Sequence, residues 1–450
     1  MKHYLFLIIL VLLASSVKSQ QQSVSSPDGK LSVAVFLRAG TPFYSVKYND
    51  AVMLEDSPLG IVTNEGDYSR RMEIVDSASD FIEKEYKQKK IKQSSVEYKA
   101  NELKVILANS DDNTIEIVFR VSNNDIGFRY NLPEFRRAKC CIIEKELTGF
   151  NLPDYATTFL TPQAKYGMGF ARTKPSYEEE YVANEPLGTP SKYGEGYTFP
   201  SLFNLNDQGW VLISETGVSS QYCGSHLSDG TQDGIYSIAF PSPDENNGFG
   251  SAFASIALPG STPWRTITVG NNLKPIVETT IPYNLVDPLY EASQEYKFGR
   301  STWSWIMWQD WSMNYDDQVT YIDLAAEMGY EFILIDALWD GNLGYDKIAE
   351  LIKYAQSKGV DVFLWYNSNG HWNDAPQGPK HKMNTALARN KEMKWLQEMG
   401  VKGLKIDFFG GDKQETMKLY EDILADANAH GLMIIFHGCT LPRGWERMYP

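Results

Sequence analysis

Lys405 and Asp407 stand two positions apart in the stretch Val401-Lys402-Gly403-Leu404-Lys405-Ile406-Asp407-Phe408-Phe409-Gly410-Gly411-Asp412. Leu404, Ile406 and Phe408 alternate with them, so the stretch reads as a short strand with one apolar and one ionisable face. A charge inside a buried strand is costly unless it is paired or hydrogen-bonded. Two readings meet that demand. One is structural: an ion pair across one face, or an aspartate capping the following loop. The other is chemical: a carboxylate placed to attack or to transfer a proton. The neighbouring elements decide between them.

The spacing of apolar residues from 299 onward predicts strands at 302–307, 332–337, 362–366, 403–408 and 432–436. Helical stretches at 317–328, 346–358, 385–399 and 413–430 lie between them, and Gly329, Gly359, Gly400 and Gly431 follow in turn, as a left-handed helix end requires. A strand every thirty residues or so, roughly the length of a βαβ unit, means a parallel sheet with helical crossovers. A doubly wound sheet and a (β/α)8 barrel both fit, but no glycine-rich phosphate loop follows the first strand. Polar and aromatic residues gather instead at the C-terminal strand ends: Trp308-Gln309-Asp310-Trp311, Asp336-Ala337-Leu338-Trp339-Asp340, Trp365-Tyr366-Asn367, Asp407 and His437-Gly438-Cys439. In a barrel those ends converge on the face where active sites are built. Carboxylates that cleave and tryptophans that stack suggest sugar chemistry there.

The first part of the chain reads differently. Lys2 and His3, an apolar run over 4–14 and Val17-Lys18-Ser19 give residues 1–19 the form of an export signal. That run is too short to span a bilayer comfortably, so no stable membrane anchor is expected, and the protein is placed in the periplasm or outside the cell. Residues 20–280 carry short strand-like runs, among them 31–37, 103–107, 114–121, 127–130, 210–214 and 251–258. Turn signals such as Pro27-Asp28-Gly29 and Asp244-Glu245-Asn246-Asn247-Gly248 separate them, the pattern of a large antiparallel β-sandwich. The loop-like segment 173–198 holds Glu178, Glu179, Glu180, Glu185 and Glu195 and reads either as a solvated acidic loop or as one that contacts sugar or metal. Residues 281–298 are expected to form a helical linker, centred on 289–297, and residues 299–450 the first five strands of the barrel. A formal net charge of -15 excludes nucleic acid and anionic membrane surfaces as partners. The four cysteines, of which Cys140 and Cys141 are adjacent, fit no zinc spacing, and their connectivity is open.

With these residues in view the chain resembles glycoside hydrolase family 97. The likeness is carried by Ser301-Thr302-Trp303-Ser304-Trp305, by Tyr321-Ile322-Asp323 leading to Ile335-Asp336, by Leu404-Lys405-Ile406-Asp407-Phe408-Phe409, and by Phe436-His437-Gly438 with Arg443-Gly444-Trp445-Glu446-Arg447-Met448-Tyr449-Pro450. The resemblance implies an exported, calcium-dependent glycosidase acting on oligo- or polysaccharides with terminal α-linked sugars. It implies Asp407 as the nucleophile of a retaining α-galactosidase-like branch, with an α-glucosidase of the same family as the alternative and a non-catalytic carbohydrate-binding fragment as another. Lys405, Asp336, His437, Trp303 and Trp305 are the expected substrate-binding residues; His437 reads equally as a structural histidine. Glu215, in Ile213-Ser214-Glu215-Thr216, resembles the calcium ligand that the N-terminal domain contributes, and reads equally as a surface residue at a strand end. The general acid and the remaining calcium ligands are expected beyond Pro450, which would make this chain an incomplete barrel with little activity by itself.

Overall fold

A computed structural model describes residues 21–135, 138–175, 178–229, 234–439 and 443–450; the expected export signal lies outside them. From Gln22–Ser25 to Trp264–Gly270, every described strand pair is antiparallel. A four-stranded sheet begins the domain and faces a ten-stranded sheet whose middle strands include Trp210–Thr216, Trp264–Gly270, Asp125–Leu132 and Thr114–Val121. Alternate residues of Leu31–Arg38 point inward, as the pleat requires. Val33, Tyr44 and Val46 of the smaller sheet share one core with Ile117, Phe119, Phe128 and Ile267 of the larger. The Tyr44 ring lies 5.3 Å from Phe128 and 6.0 Å from Phe119, which fixes the two sheets face to face.

One ionic cluster is buried in this sandwich. Arg265, fully enclosed in a strand with no exposed residue, donates to Glu146 at 2.6 Å and to Glu215 at 2.5 Å. Ser225 completes the shell of Glu215 through its amide at 3.1 Å and its hydroxyl at 2.6 Å. Two carboxylates around one guanidinium leave no charge uncompensated by a donor or an opposite charge, the condition for keeping ions out of water.

The expected linker helix is not there. Ile281–Asn284 is a single helical turn, and 289–297 runs without helix. Its polar groups are spent on a neighbour instead: Tyr290 donates to the Leu424 carbonyl, Ser293 to the Asn428 carbonyl, and Gln294 to the Gly431 carbonyl. The Asn428 and Gly431 carbonyls lie at and just beyond the end of helix Gln414–Ala429, and that of Leu424 lies in its second-last turn. The segment is a strap that closes a helix end.

Five parallel strands then follow: Ser301–Trp303, Phe332–Ile335, Asp361–Asn367, Gly403–Asp407 and Met433–Phe436. They pair strictly in chain order, each crossover carrying a helix. A doubly wound sheet reverses its strand order at a switch point; this one does not, and it is a segment of a (β/α)8 barrel. Ile333 and Ile335 pack toward the helices with Leu404 and Ile406. Phe332, Leu334 and Phe363 face inward and fill the lower interior. Gly403 has a reason to be glycine: a Cβ there would stand 2.1 Å from the Phe363 ring. The first strand is shorter than the expected 302–307. Ser304 accepts the amides of Met307 and Trp308 and turns the chain into the short helix Trp305–Trp308. Gln318 and Ser312 hold that turn through the Ser304 hydroxyl.

The Arg265 cluster gives a direct test of what holds the sandwich. Removing one member of a buried ionic group leaves its partners charged and unpaired, which costs about 3–5 kcal/mol. Arg265→Leu should therefore lower the free energy of unfolding by that amount in urea titration. A loss below roughly 1 kcal/mol, the range of exposed pairs, would show that the cluster contributes little.

Candidate active site

The inward face of the fourth strand ends in a pocket. Lys405 and Asp407 are 5% and 4% exposed, and both line a cavity of about 450 Å³ at the C-terminal ends of the strands. Asp336, Trp305, Trp365, Phe408 and His437 share that wall. The sandwich supplies Phe170, Thr173 and Glu178, so the site lies between the two domains.

Each carboxylate is held by named donors. Asp407 Oδ1 accepts the Phe408 amide at 2.7 Å; Oδ2 accepts the Trp365 indole N–H at 3.2 Å and pairs with His437 Nδ1 at 2.8 Å. His437 Nε2 lies 3.2 Å from Glu178, so the imidazole bridges Asp407 and the sandwich loop. Its hydrogen bond to Asp407 is the main reason its pKa rises above 6.5, with burial and Lys405 opposing. Asp336 is the partner of Lys405, at 3.0 Å, and also accepts the Trp303 indole N–H at 2.5 Å. The Lys405 ammonium sits 4.3 Å from the Trp303 ring centroid. Lys405 is thus paired with Asp336 across strands rather than with Asp407 on its own strand.

Local backbone geometry sets the aim of Asp407. Phe408 is left-handed at φ 65°, a conformation that costs a residue with a Cβ roughly 1–3 kcal/mol. Ser368 and Asn373 hold it there by donating to its carbonyl at 3.0 and 2.8 Å. Gly438, at φ 52°, passes so close that a Cβ would stand 2.7 Å from Asp407 Oδ1. The strand end, the loop after the third strand and the Gly438 backbone therefore fix one carboxylate orientation.

The expected site residues divide accordingly. Asp407, Lys405, Asp336, His437 and Trp305 meet in one pocket. Trp303 lies behind that wall, stacked on Trp305 at 5.4 Å and 15°, and reaches the site through Asp336. Glu215 is not in the pocket: Arg265 and Ser225 occupy its oxygens inside the sandwich. Burial raises its pKa while Arg265 draws it down, as befits a paired internal carboxylate. Among the described residues no group of three or more His, Cys, Asp or Glu is arranged to hold a metal ion. Glu215, the calcium donor that the resemblance implies here, is engaged by Arg265 and Ser225, and no chemical step below passes through a metal.

Other lining groups were less visible in the sequence. Glu178 belongs to the acidic loop, and its contact with His437 favours the sugar-facing reading of that loop over the solvated one. Gln377 donates to Asp310 at 3.1 Å, and Asp310 also accepts the Trp305 indole at 3.0 Å, which locks that ring against the pocket. The sequence places Asp310 at a strand end with the same signal as Asp336, whereas in the structure it lies in the helical turn Gln309–Ser312 after the first strand. Gln377 sits in a long loop with no periodicity to mark it.

The imidazole reports on the carboxylate beside it. Its contribution to folding is complete below pH 6.5 and is lost as pH rises through the higher folded-state pKa. An NMR titration should find His437 above 6.5 in the native chain and shifted down in Asp407→Asn. Equal values in the two proteins would show that Asp407 does not hold the imidazolium.

Known proteins share this arrangement of domains. The family description "Glycosyl-hydrolase 97 N-terminal" matches residues 24–288 and "Glycoside hydrolase 97" matches residues 297–450. A crystal structure of a β-arabinopyranosidase is 56% identical, with a TM-score of 0.94, over 95% of this chain and 68% of that one. A probable retaining α-galactosidase of Streptomyces bingchenggensis is 27% identical over 443 residues, 95% of this chain and 62% of the relative. The retaining α-galactosidase of Bacteroides thetaiotaomicron is 24% identical over 493 residues, covering 100% of this chain and 69% of the relative. The chain spans less than two thirds of the Streptomyces protein, and both of its halves carry the match: it belongs to glycoside hydrolase family 97.

Proposed function

We propose that this chain carries the nucleophile and the sugar pocket of an exported retaining glycosidase, acting on terminal pyranosides of galacto configuration. The observation that carries the reading is the Asp407 carboxylate, oriented by three donors at the mouth of an aromatic-walled pocket. These three donors fix the direction of the carboxylate and leave it a lone pair for attack on an anomeric carbon. In such a step a carboxylate oxygen of Asp407 forms a bond to C1 as the bond from C1 to the leaving group breaks, with its electron pair going to the leaving group. Water then attacks C1, gives up a proton to solvent and frees the Asp407 carboxylate, so two inversions return the starting configuration. The Asp336–Lys405 pair offers an acceptor and a donor for sugar hydroxyls, and the ring of Trp305 a surface for the sugar's apolar face. The described carboxylates beside Asp407 are all engaged: Glu178 with His437, Asp310 with Trp305 and Gln377, and Asp336 with Lys405. None of them is assigned as the general acid.

Relatives bear on the sugar. α-D-Galactopyranose and β-L-arabinopyranose share ring configuration from C1 to C4 and differ by the hydroxymethyl group on C5. One pocket can thus serve both, and the 56% identity to a β-arabinopyranosidase, against 27% to the Streptomyces protein, puts the arabinopyranoside first. The basic start and apolar run of residues 1–19 support export.

Glycosyl fluorides test this with the chain's own residues, because fluoride departs without a proton from the protein. The chain should release fluoride from β-L-arabinopyranosyl and α-D-galactosyl fluoride, the first faster, with product of retained configuration in the earliest NMR spectra. Asp407→Gly should abolish release, and azide should restore it with an inverted glycosyl azide as product. Product of inverted configuration from the native chain would overturn retention, and binding of both sugars without turnover would establish a carbohydrate-binding protein instead.

A further inference from the structure

The loop that follows Asp407 is gripped by the sandwich. Glu245 is 3% exposed, and its Oε2 accepts the Asp412 amide at 2.6 Å while Oε1 accepts the Ser242 amide at 3.0 Å. Beside it, the Asn246 amide donates to the Gly410 carbonyl at 3.0 Å, and the Asn246 carboxamide to Thr416 at 3.0 Å. Lys413 returns across the same boundary to the Pro243 and Phe249 carbonyls at 2.7 and 3.2 Å. Approach is so close that a Cβ on Gly411 would stand 2.1 Å from Glu245 Oε2, and one on Gly410 2.4 Å from Asn246 Oδ1. The double glycine after the strand exists to admit this contact.

We propose that Glu245 is a positioning residue: by tying the Asp412 amide to the sandwich, it sets the course of residues 408–412 and thereby the aim of the Asp407 carboxylate. The link is short. Asp407 Oδ1 takes its donor from the Phe408 amide, and Phe409 is pinned to the Gly438 carbonyl at 3.0 Å. Only Phe409, Gly410 and Gly411 separate Asp412 from Phe408, whose left-handed backbone already needs outside support. Burial pushes the Glu245 carboxyl up to about 7, against the pull of its two amides and Lys413, so the fold keeps this acid inside at a cost. A neutral side chain would fill the space without that cost. An acceptor for two amides is what the position requires. The sandwich is on this account part of the catalytic machinery, although Glu245 touches no reacting atom.

The inference rests on the reading of Asp407 as nucleophile, and its test therefore includes a measurement that needs no turnover. Glu245→Gln keeps the shape but presents an N–H₂ to one amide donor; Glu245→Asp keeps both acceptors on a shorter arm. With glycosyl fluoride, Glu245→Gln should lower kcat about ten- to hundred-fold while KM stays within about two-fold, the signature of misaimed chemistry. The His437 titration should shift down in the same variant, and Glu245→Asp should recover part of both. Unchanged kcat and unchanged His437 titration in a folded Glu245→Gln would overturn the proposal, as would equal loss in kcat and affinity. An inactive native chain would instead refute the proposed function, and the His437 titration would then decide the role of Glu245 alone.

Discussion

Two charges on the inward face of one buried strand cannot stand unpaired, and the site is the solution to that constraint. Lys405 and Asp407 are one alternation apart, yet they do not neutralise each other. Lys405 crosses to Asp336 on the second strand, and Asp407 is served by donors from the third strand, its own loop and the residue after the fifth strand. Each charge thus recruits a different strand end, and the strands must stand in barrel order for the partners to arrive. The same pairing that makes burial tolerable gathers carboxylate, ammonium, imidazole and indole around one cavity.

The pairing also explains why the carboxylate is fixed rather than merely present. The nucleophile proposed for this position needs its attacking oxygen held within a narrow range of direction, and side-chain hydrogen bonds alone allow it to swing. Here the backbone enters as well. Phe408 is held left-handed through its carbonyl, and the Gly438 backbone closes the space beside Oδ1. Strain at Phe408 is tolerated because Ser368 and Asn373 over-determine it.

Much of this was legible in the sequence for one physical reason: local periodicity encodes elements and their faces. The five strands and four long helices follow from apolar spacing and glycine stops, and the strand-end rule then puts Asp407, Asp336 and His437 on one face. What was missed depends on partners far away in the chain. The 302–307 run looks like one strand, but Ser304 bonds with Ser312 and Gln318 bend it after Trp303. The 289–297 segment has helical composition, yet the end of a helix that comes later in the chain takes up its donors. Glu215 has the type and strand-end position of a ligand, and its ion pair with Arg265, fifty positions on, was not visible in the sequence. Glu245 lies in a stretch that reads as an ordinary turn, because the amide it serves is 167 positions away.

That last separation bears on how the two domains relate. A sandwich joined to a barrel by a flexible strap would leave the pocket rim free to drift, since Phe170, Thr173 and Glu178 come from one domain and Asp407 from the other. The strap does not prevent this; its bonds go to a helix end on the far side of the fourth crossover. The boundary is closed at the active-site loop, by the Asp412 amide accepted on buried Glu245 and by glycines with no room for a side chain, and also by Thr216 on the Arg443 carbonyl, the Ser220 amide on Glu421 and the Trp445 indole on the Val218 carbonyl. Backbone contacts of this kind hold position more tightly than exposed side-chain pairs, which are screened and entropically loose. The loop most exposed to error is therefore the one the second domain grips, so the sandwich bears on the site both by lining its pocket and by holding the loop that follows Asp407.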